Sequence, residues 1–427
     1  MTAEHVSSYY AATAHKKDAR PSLQGAAQAD ICIVGAGFTG ISAALELAER
    51  GFSVIVLEAM RVGWGASGRN GGQIVNGYSR DLDVISKRYG EAAGRAIGAM
   101  ALEGGDIIRQ RVAKYGIACD LAEGGLFVAL TQKQLRGLEH HKQIWAAHGH
   151  HDFTLLDKPG LAPHVTSDRY VGGLLDHKGG HIHPLNLVQG EAEAAERLGV
   201  RIFEDSRVTA VERDANPVAV RTASGEVKAK HVLICCNAYI GDLLPEIGHK
   251  IMPVSTQVLT TEPLGEAHAK RLLPSNVCVE DANYILDYYR RTPDHRLIYG
   301  GGIVYGGQDP ESIRAKILPN MLKTFPDLRD ARIDFAWSGN FALTLSRFPQ
   351  IGRLTPNIYF SHGCSGHGVT TTHLLGRLVA EAIAGTPARF DILANLPYHP
   401  FPGGKALRVP LTVLGSWYYR ARDTLGI

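Results

Sequence analysis

Hydrophobic and polar positions change rhythm three times within residues 31–57. Ile31-Cys32-Ile33-Val34 is continuously apolar, as a strand buried on both faces of a parallel sheet must be. GAGFTG follows without a gap, and ISAALELAER then sets Ile41, Ala44, Leu45 and Ala48 at helical spacing. Gly51 stands where a helix commonly ends in a left-handed residue, and Val54–Leu57 is again an apolar run. This is a βαβ unit.

Residues 81–165 read mainly as helices. Between 166 and 238 short strands return in VGGLLD, VRIFED, RVTAVER and KHVLICC, with the helical stretch LNLVQGEAEAAERLG among them. Segment 250–340 is dominated by β-like runs around one helix, IRAKILPNMLKTF. The last third restarts with Ile358-Tyr-Phe-Ser361, a glycine-rich loop, and a helix carrying Leu374, Leu375, Leu378, Val379, Ala382 and Ile383 on one face. The expected architecture is α/β: a discontinuous domain of segments 28–80, 166–240 and 341–400. It is interrupted by an α+β domain of 81–165 and 241–340 built on a mixed, largely antiparallel sheet, and followed by a tail, 401–427.

Composition changes this picture little. The 427 residues exceed what one core usually supports, which agrees with two domains. A formal charge of +3 without a run of Lys and Arg implies no nucleic acid. The N-terminal segment lacks the apolar stretch of a secretory signal, and no run approaches the roughly 20 apolar residues that span a bilayer, so a cytoplasmic protein without a membrane span is expected. Six cysteines show no CxxC pair. The clusters His148-Gly-His150-His151 and His181-Ile-His183 have no carboxylate or cysteine spaced to complete a metal site, so none is assigned. The 48 glycines do matter, because many fall in tight clusters, as where backbone approaches a ligand.

Gly35-x-Gly37-x-x-Gly40 follows a strand, opens a helix, and precedes by about 20 residues an acid at a strand end, Glu58; that context is the dinucleotide fingerprint. Gly35 permits the tight turn, Gly37 lets backbone touch a pyrophosphate, and Gly40 packs helix on strand. Phe38 and Thr39 open the helix whose N-terminus faces the phosphates. Glu58 is placed to accept the adenosine ribose hydroxyls, and Ala59 and Arg61 follow it at the same edge. The fingerprint alone does not separate FAD from NAD. Two further segments do. Trp64-Gly65-Ala66-Ser67-Gly68-Arg69-Asn70-Gly71-Gly72-Gln73 arrives where NAD domains start another helix: Arg69 can neutralise a pyrophosphate, Ser67 and Asn70 can bond ribityl or phosphate oxygens, and Gly71-Gly72 lets backbone pass a flat ring. Ser361-His-Gly363-Cys-Ser365-Gly366-His367-Gly368 is a strand-to-helix loop, followed by Val369 and Thr370. It aims a second helix N-terminus at a flavin and favours negative charge on the reduced ring.

With these motifs in order, the chain resembles the D-amino acid oxidase/sarcosine oxidase superfamily and, within it, the group of γ-glutamylputrescine oxidases. The resemblance runs from ADICIVGAGFTGISAALELAERGFSVIVLEA through WGASGRNGGQ, GHIHPLNLVQG, KHVLICCNAY, DYYRR and SHGCSGHGV to FPGGKALRVPLTVLGSWYYRARD. It implies a Rossmann-type, glutathione-reductase-like FAD domain with an interleaved substrate domain. It also implies that Val208 lies against the adenine and that Asn237 and Ala238 close over the cofactor. Two departures are informative. Sarcosine oxidases tether flavin through a cysteine shortly before the SGHG loop; WSGNFALTLSRFPQIGRL has none, so the FAD is expected to be non-covalent. They also hold a substrate carboxylate with a lysine just after the loop, where this chain has Val369 and Thr370.

Unless an arginine elsewhere substitutes for that lysine, an amine without a neighbouring carboxylate therefore fits better than an α-amino acid. The implied reaction moves hydride from the carbon next to a primary amine, as in γ-glutamyl-putrescine, to flavin N5, giving aldehyde, ammonia and, with O2 as acceptor, hydrogen peroxide in polyamine catabolism. The rival is an amino- or imino-acid dehydrogenase that passes electrons to a quinone. No catalytic acid or base is identified. Tyr284, Leu286 and Tyr288 in EDANYILDYYRR are expected on one face of a strand forming the substrate wall, with Gln73 and, by resemblance, Trp337 beside them. The aromatic tail around Trp417, Tyr418 and Tyr419 is expected to pack on the protein's own surface.

Overall fold

The computed structural model describes residues 4–307, 309 and 311–425. The βαβ unit forms as the pattern dictates. Strand Gly25–Val34 runs parallel to Val54–Leu57, and the four residues Ile31–Val34 are buried. Helix Phe38–Glu49 connects them, and Gly51, at φ +84°, follows its last turn.

The first sheet has the order Gln350–Thr355, Ile358–His362, Gly225–Ile234, Gly25–Val34, Val54–Leu57, Arg201–Phe203. The four successive pairings from Ile358–His362 to Arg201–Phe203 are parallel, and the outer strand Gln350–Thr355 is antiparallel. A hairpin, Val208–Glu212 with Val218–Thr222, joins its edge through Gly225–Ile234. Helices Phe38–Glu49 and Gly368–Ile383 pack on one another: Ser42 Oγ donates to the His373 carbonyl at 3.0 Å, and a methyl at Gly376 would lie 2.7 Å from Ser42 Cβ. The charges beneath them are paired. Arg111 meets Glu46 at 3.1 Å and Glu191 at 2.9 Å, with Glu191 also 3.1 Å from His373, which removes the penalty of burying either sign alone.

The second sheet has nine strands and is antiparallel except where Cys278–Asp281 runs parallel to Ala122–Ala129. It runs Ile333–Thr344, Ile251–Thr261, Leu297–Tyr305, Tyr288–Arg291, Cys278–Asp281, Ala122–Ala129, Gly172–His181, Gln73–Ile74, with Phe153–Asp157 added beside Gly172–His181. Three expectations shift here. Gly172–His181 and Gln73–Ile74 pair in this sheet although both fall within segments placed in the first domain. Segment 81–165, expected to be mainly helical, contributes two strands. Residues 282–287 are not strand but a loop closed by the Asp281 N–H donating to the Asp287 carbonyl, with the Asn283 N–H bonded to Asp281 Oδ1.

The tail forms a helix, Gly404–Leu425. One side packs on the protein: Arg408 donates to the Ile251 carbonyl at 2.7 Å, and Val409 lies against Gly306. The other side leaves Leu407, Leu411, Leu414, Trp417 and Tyr418 exposed, so Trp417 and Tyr418, expected to pack on the protein's own surface, stand largely in solvent instead. The Tyr419 side chain lies outside the described residues. Among the described residues no helix is long and apolar enough to cross a membrane.

Candidate active site

A cavity of about 600 Å³ runs between the carboxyl ends of the parallel strands and the face of the second sheet, and the glycine loops build its floor. At Gly35, φ +105° and a Cβ that would stand 2.9 Å from the Cys235 carbonyl exclude any side chain. Gly37 is constrained by a side chain alone, Ser67 Oγ at 2.9 Å; that hydroxyl accepts the Phe38 N–H and so ties the fingerprint to the second loop. A methyl at Gly40 would press the Gly35 backbone and reach Ile33 at 3.3 Å, which is helix-on-strand packing and not ligand contact.

Glu58 sits at the end of the second strand with both oxygens engaged, Oε2 with the Ala36 N–H at 2.7 Å and Oε1 with the Met60 N–H at 2.9 Å. Burial pushes its carboxyl above the usual range, opposed by these backbone donors. Glu58 lines the cavity, and a carboxylate has lone-pair capacity beyond these two bonds. Asn70 serves its own loop: Oδ1 accepts the Gly72 N–H, and Nδ2 donates to the Ala66 and Ser67 carbonyls. Arg69 stacks 4.1 Å over the Trp64 ring and donates from Nε to the Trp64 carbonyl, while its buried Nη2 has no partner. Asn237 Oδ1 accepts the Gly363 N–H at 2.9 Å and fastens the third glycine loop to the second strand-end loop. Beyond it Ser365 (φ +55°) and Gly366 (φ +104°) turn the chain into helix Gly368–Ile383, whose N-terminus carries no side-chain cap. His367 heads that helix; burial holds its imidazole down to about 4, and its Nδ1 is unpartnered.

Two helix N-termini whose N-cap residues supply no side-chain cap, an orphaned guanidinium nitrogen, an orphaned imidazole and an acid at a strand tip thus face one elongated space. That donor set fits a dinucleotide carrying a ring able to accept negative charge. Of the residues assigned from the sequence, Gly35, Gly37, Phe38, Thr39, Glu58, Ala59, Gly65, Ala66, Ser67, Arg69, Asn70, Gly71 and Gln73 line the cavity. So do Val208, Asn237, Ser365, Gly366, His367, Gly368 and Val369.

Residues 30–382 match the family described as DAO: FAD dependent oxidoreductase. The chain belongs to this family. FAD is its cofactor, and it is an FAD-dependent oxidoreductase. It is 55% identical over 425 residues to the gamma-glutamylputrescine oxidoreductase of Escherichia coli (strain K12), with 99% of this chain and 100% of that protein covered. A probable oxidoreductase, OrdL, of Haemophilus influenzae is 42% identical, with 98% of each chain covered. Among solved structures, glycine oxidase from Geobacillus kaustophilus superposes with a TM-score of 0.71 at 22% identity, over 84% of this chain and 95% of that one; the likeness is one of fold.

Several assigned residues lie elsewhere. Arg61 turns away to ion pairs with Glu4 at 2.9 Å and Asp205 at 2.8 Å. Thr370 is buried and donates to the Val75 carbonyl at 2.6 Å, leaving only Val369 of that pair facing the cavity. Gly72 (φ +78°) and Gly363 (φ +77°) shape their loops from behind. Ala238 is off the lining, in a short 3-10 turn. Trp337 is buried behind the wall, where it packs on Tyr10 at 5.3 Å and donates Nε1 to the Arg69 carbonyl at 2.9 Å.

The opposite end is walled by the second sheet. Tyr284, Leu286 and Tyr288 all line it, the first two from the loop and the last from strand Tyr288–Arg291. The Tyr288 ring lies over Gly71; a methyl there would meet Cδ2 at 2.9 Å. Arg290, 2% exposed, holds the same loop by donating Nε to the Gly71 carbonyl at 2.8 Å and Nη2 to the Ile182 carbonyl at 3.0 Å. Sequence reasoning missed Glu280, Arg347, Tyr305 and Phe341 in this wall. Arg347 adopts φ +56° and stacks 4.4 Å over the Tyr284 ring, a pairing between residues 63 positions apart that no local pattern announces. Among the described residues the lining contains no lysine, and its only carboxylates are Glu58 and Glu280. No group of three or more metal-binding side chains forms among them.

Proposed function

We propose that the protein oxidises the terminal primary amine of a γ-glutamyl-polyamine, with γ-glutamyl-putrescine as the reference substrate. The products are the aldehyde and ammonia, and O2 accepts the two electrons and is reduced to hydrogen peroxide. The observation that carries this reading is the continuity of the dinucleotide cradle with an aromatic, carboxylate-bearing chamber that lacks a lysine for an α-carboxylate beside the reacting carbon. Full-length similarity to a gamma-glutamylputrescine oxidoreductase supports it.

Bound FAD supplies the hydride acceptor. The chain does the rest. Tyr288, pinned over Gly71, and Leu286 offer flat and apolar surface to an aliphatic chain and exclude water from the reacting carbon. Arg347, held over Tyr284, offers its guanidinium to the distal carboxylate of a γ-glutamyl group. The FAD is held by contacts alone.

The test is anaerobic mixing of the reconstituted protein with γ-glutamyl-putrescine, followed by air-saturated buffer, with the visible flavin band and peroxide both recorded. Bleaching followed by rapid recovery with one peroxide per turnover supports the reading. Bleaching that recovers only with an added quinone would move the acceptor assignment to a dehydrogenase; no bleaching would remove the substrate assignment.

A further inference from the structure

Apart from Glu58 at the end of the second strand, Glu280 is the one carboxylate facing the cavity, and no cation pairs with it, among the described residues. Strand Cys278–Asp281 places it directly across from Tyr288, so both side chains rise on the face that covers the Gly71–Gln73 loop. Gln73 joins that loop to the same strand by donating Nε2 to the Val279 carbonyl. Asp281 follows Glu280 on the opposite face and repels its charge. Cys278, on its own face, and Tyr288 across from it are both pushed up by burial and stay uncharged. Arg290, the nearest cation along the neighbouring strand, spends its donors on the Gly71, Ile182 and Arg291 carbonyls and the Tyr10 hydroxyl. Burial, then Asp281, raises the Glu280 carboxyl to about 8. A lone acid kept on a cavity wall at that cost is matched to a cation brought by the ligand.

The geometry points to Glu280 as the group that receives the substrate's terminal ammonium and takes its proton. An alkylammonium in water holds its proton up to roughly pH 10, as lysine does, whereas hydride departure needs the nitrogen lone pair. In the step assigned here one N–H bond of the ammonium breaks and the proton passes to a Glu280 oxygen. The lone pair so freed forms C=N as the adjacent C–H bond breaks, and the hydride leaves with its electron pair to the bound FAD. Water adds to the resulting iminium carbon, and ammonium departs to leave the aldehyde. This inference rests on the amine-oxidase reading and names the residue that makes it work.

The test uses the FAD-loaded full chain, Glu280→Gln and Glu280→Asp, with γ-glutamyl-putrescine and with γ-glutamyl-butylamine, which has a hydrogen where the terminal amine should be. Calorimetric binding is measured to reduced, inert enzyme, and flavin reduction is followed anaerobically across pH. Glu280→Gln is expected to weaken binding of the amine about 10- to 100-fold and leave the butylamine unchanged, because one charge-assisted hydrogen bond is lost. The acidic limb of the reduction profile, set by Glu280, should vanish in Glu280→Gln and persist in Glu280→Asp. Equal loss for both ligands, or an unaltered profile in Glu280→Gln, overturns the role of Glu280. If wild-type protein is not reduced by γ-glutamyl-putrescine at all, the proposed function fails instead, and the two failures are distinct.

Discussion

Replacing Glu58 with glutamine tests how the acidic strand tip holds the adenosine end of FAD. The carboxylate binds two backbone N–H groups, from Ala36 at 2.7 Å and Met60 at 2.9 Å, and so clamps the turn before the helix to the segment after the second strand. A glutamine keeps one acceptor oxygen; its amide nitrogen must face the other N–H, donor against donor. That leaves one backbone donor unsatisfied at about 1–3 kcal/mol and halves the capacity to accept ribose hydroxyls. The unpaired donor penalises free and FAD-bound protein alike, whereas the weakened hydrogen bonds to the ribose hydroxyls, about 2 kcal/mol, should lower FAD affinity about 30-fold. The melting temperature of cofactor-free protein should fall too, because the backbone bonds exist without ligand. The assay is titration of apoprotein by flavin fluorescence, with FMN as the comparison, since FMN has no adenosine. FAD binding should weaken while FMN binding holds within about threefold. Equal losses for both flavins, or no loss for FAD, would refute the reasoning.

Other consequences are equally direct. Gly37→Ala puts a methyl 2.9 Å from Ser67 Oγ, breaks its bond to the Phe38 N–H, and should yield a colourless preparation that FAD barely restores. Trp337→Phe removes the bond to the Arg69 carbonyl and should cost about 1 kcal/mol in denaturant unfolding. Arg347→Met should raise KM for γ-glutamyl-putrescine several-fold and leave KM for an amine without the distal carboxylate unchanged, measured by peroxide release. Glu280 and Asp281 have carboxyls raised to about 8 and about 7, so the folded apoprotein binds more protons than the unfolded chain from the ordinary carboxylate range upward. Stability from these groups is complete below about pH 4 and is lost as pH rises through 7–8; thermal melts of apoprotein should show that decline, flattened in Glu280→Gln.

What was legible in the sequence follows from locality. The fingerprint, its strands, Gly51 and Glu58 are set by residues within about thirty positions, and all took their expected places. The misreadings are long-range. Arg61 stands beside the acid at the cavity rim in sequence, but Glu4 and Asp205 claim it, and neither could be paired with it by spacing. Thr370 follows the third glycine loop and is expected beside the cofactor, yet its hydroxyl donates to the Val75 carbonyl instead. YILDYY alternates like a strand, but the Asp287 carbonyl accepts the Asp281 N–H and Asp281 Oδ1 the Asn283 N–H, bending 282–287 into a loop that still delivers Tyr284 and Leu286 to the cavity. Glu280 left one signal: an acid beside a second acid in the strand CVED, where an apolar residue was due. Two acids on opposite faces of a buried strand are costly unless one finds a cation.

The account stands on one chamber holding both FAD and a primary amine. Titrating the FAD-loaded protein anaerobically with γ-glutamyl-putrescine should bleach the visible flavin band with one equivalent per protein, and acid precipitation should then release intact FAD into solution. A protein that takes up no FAD, or a flavin band that excess amine leaves untouched, would contradict it.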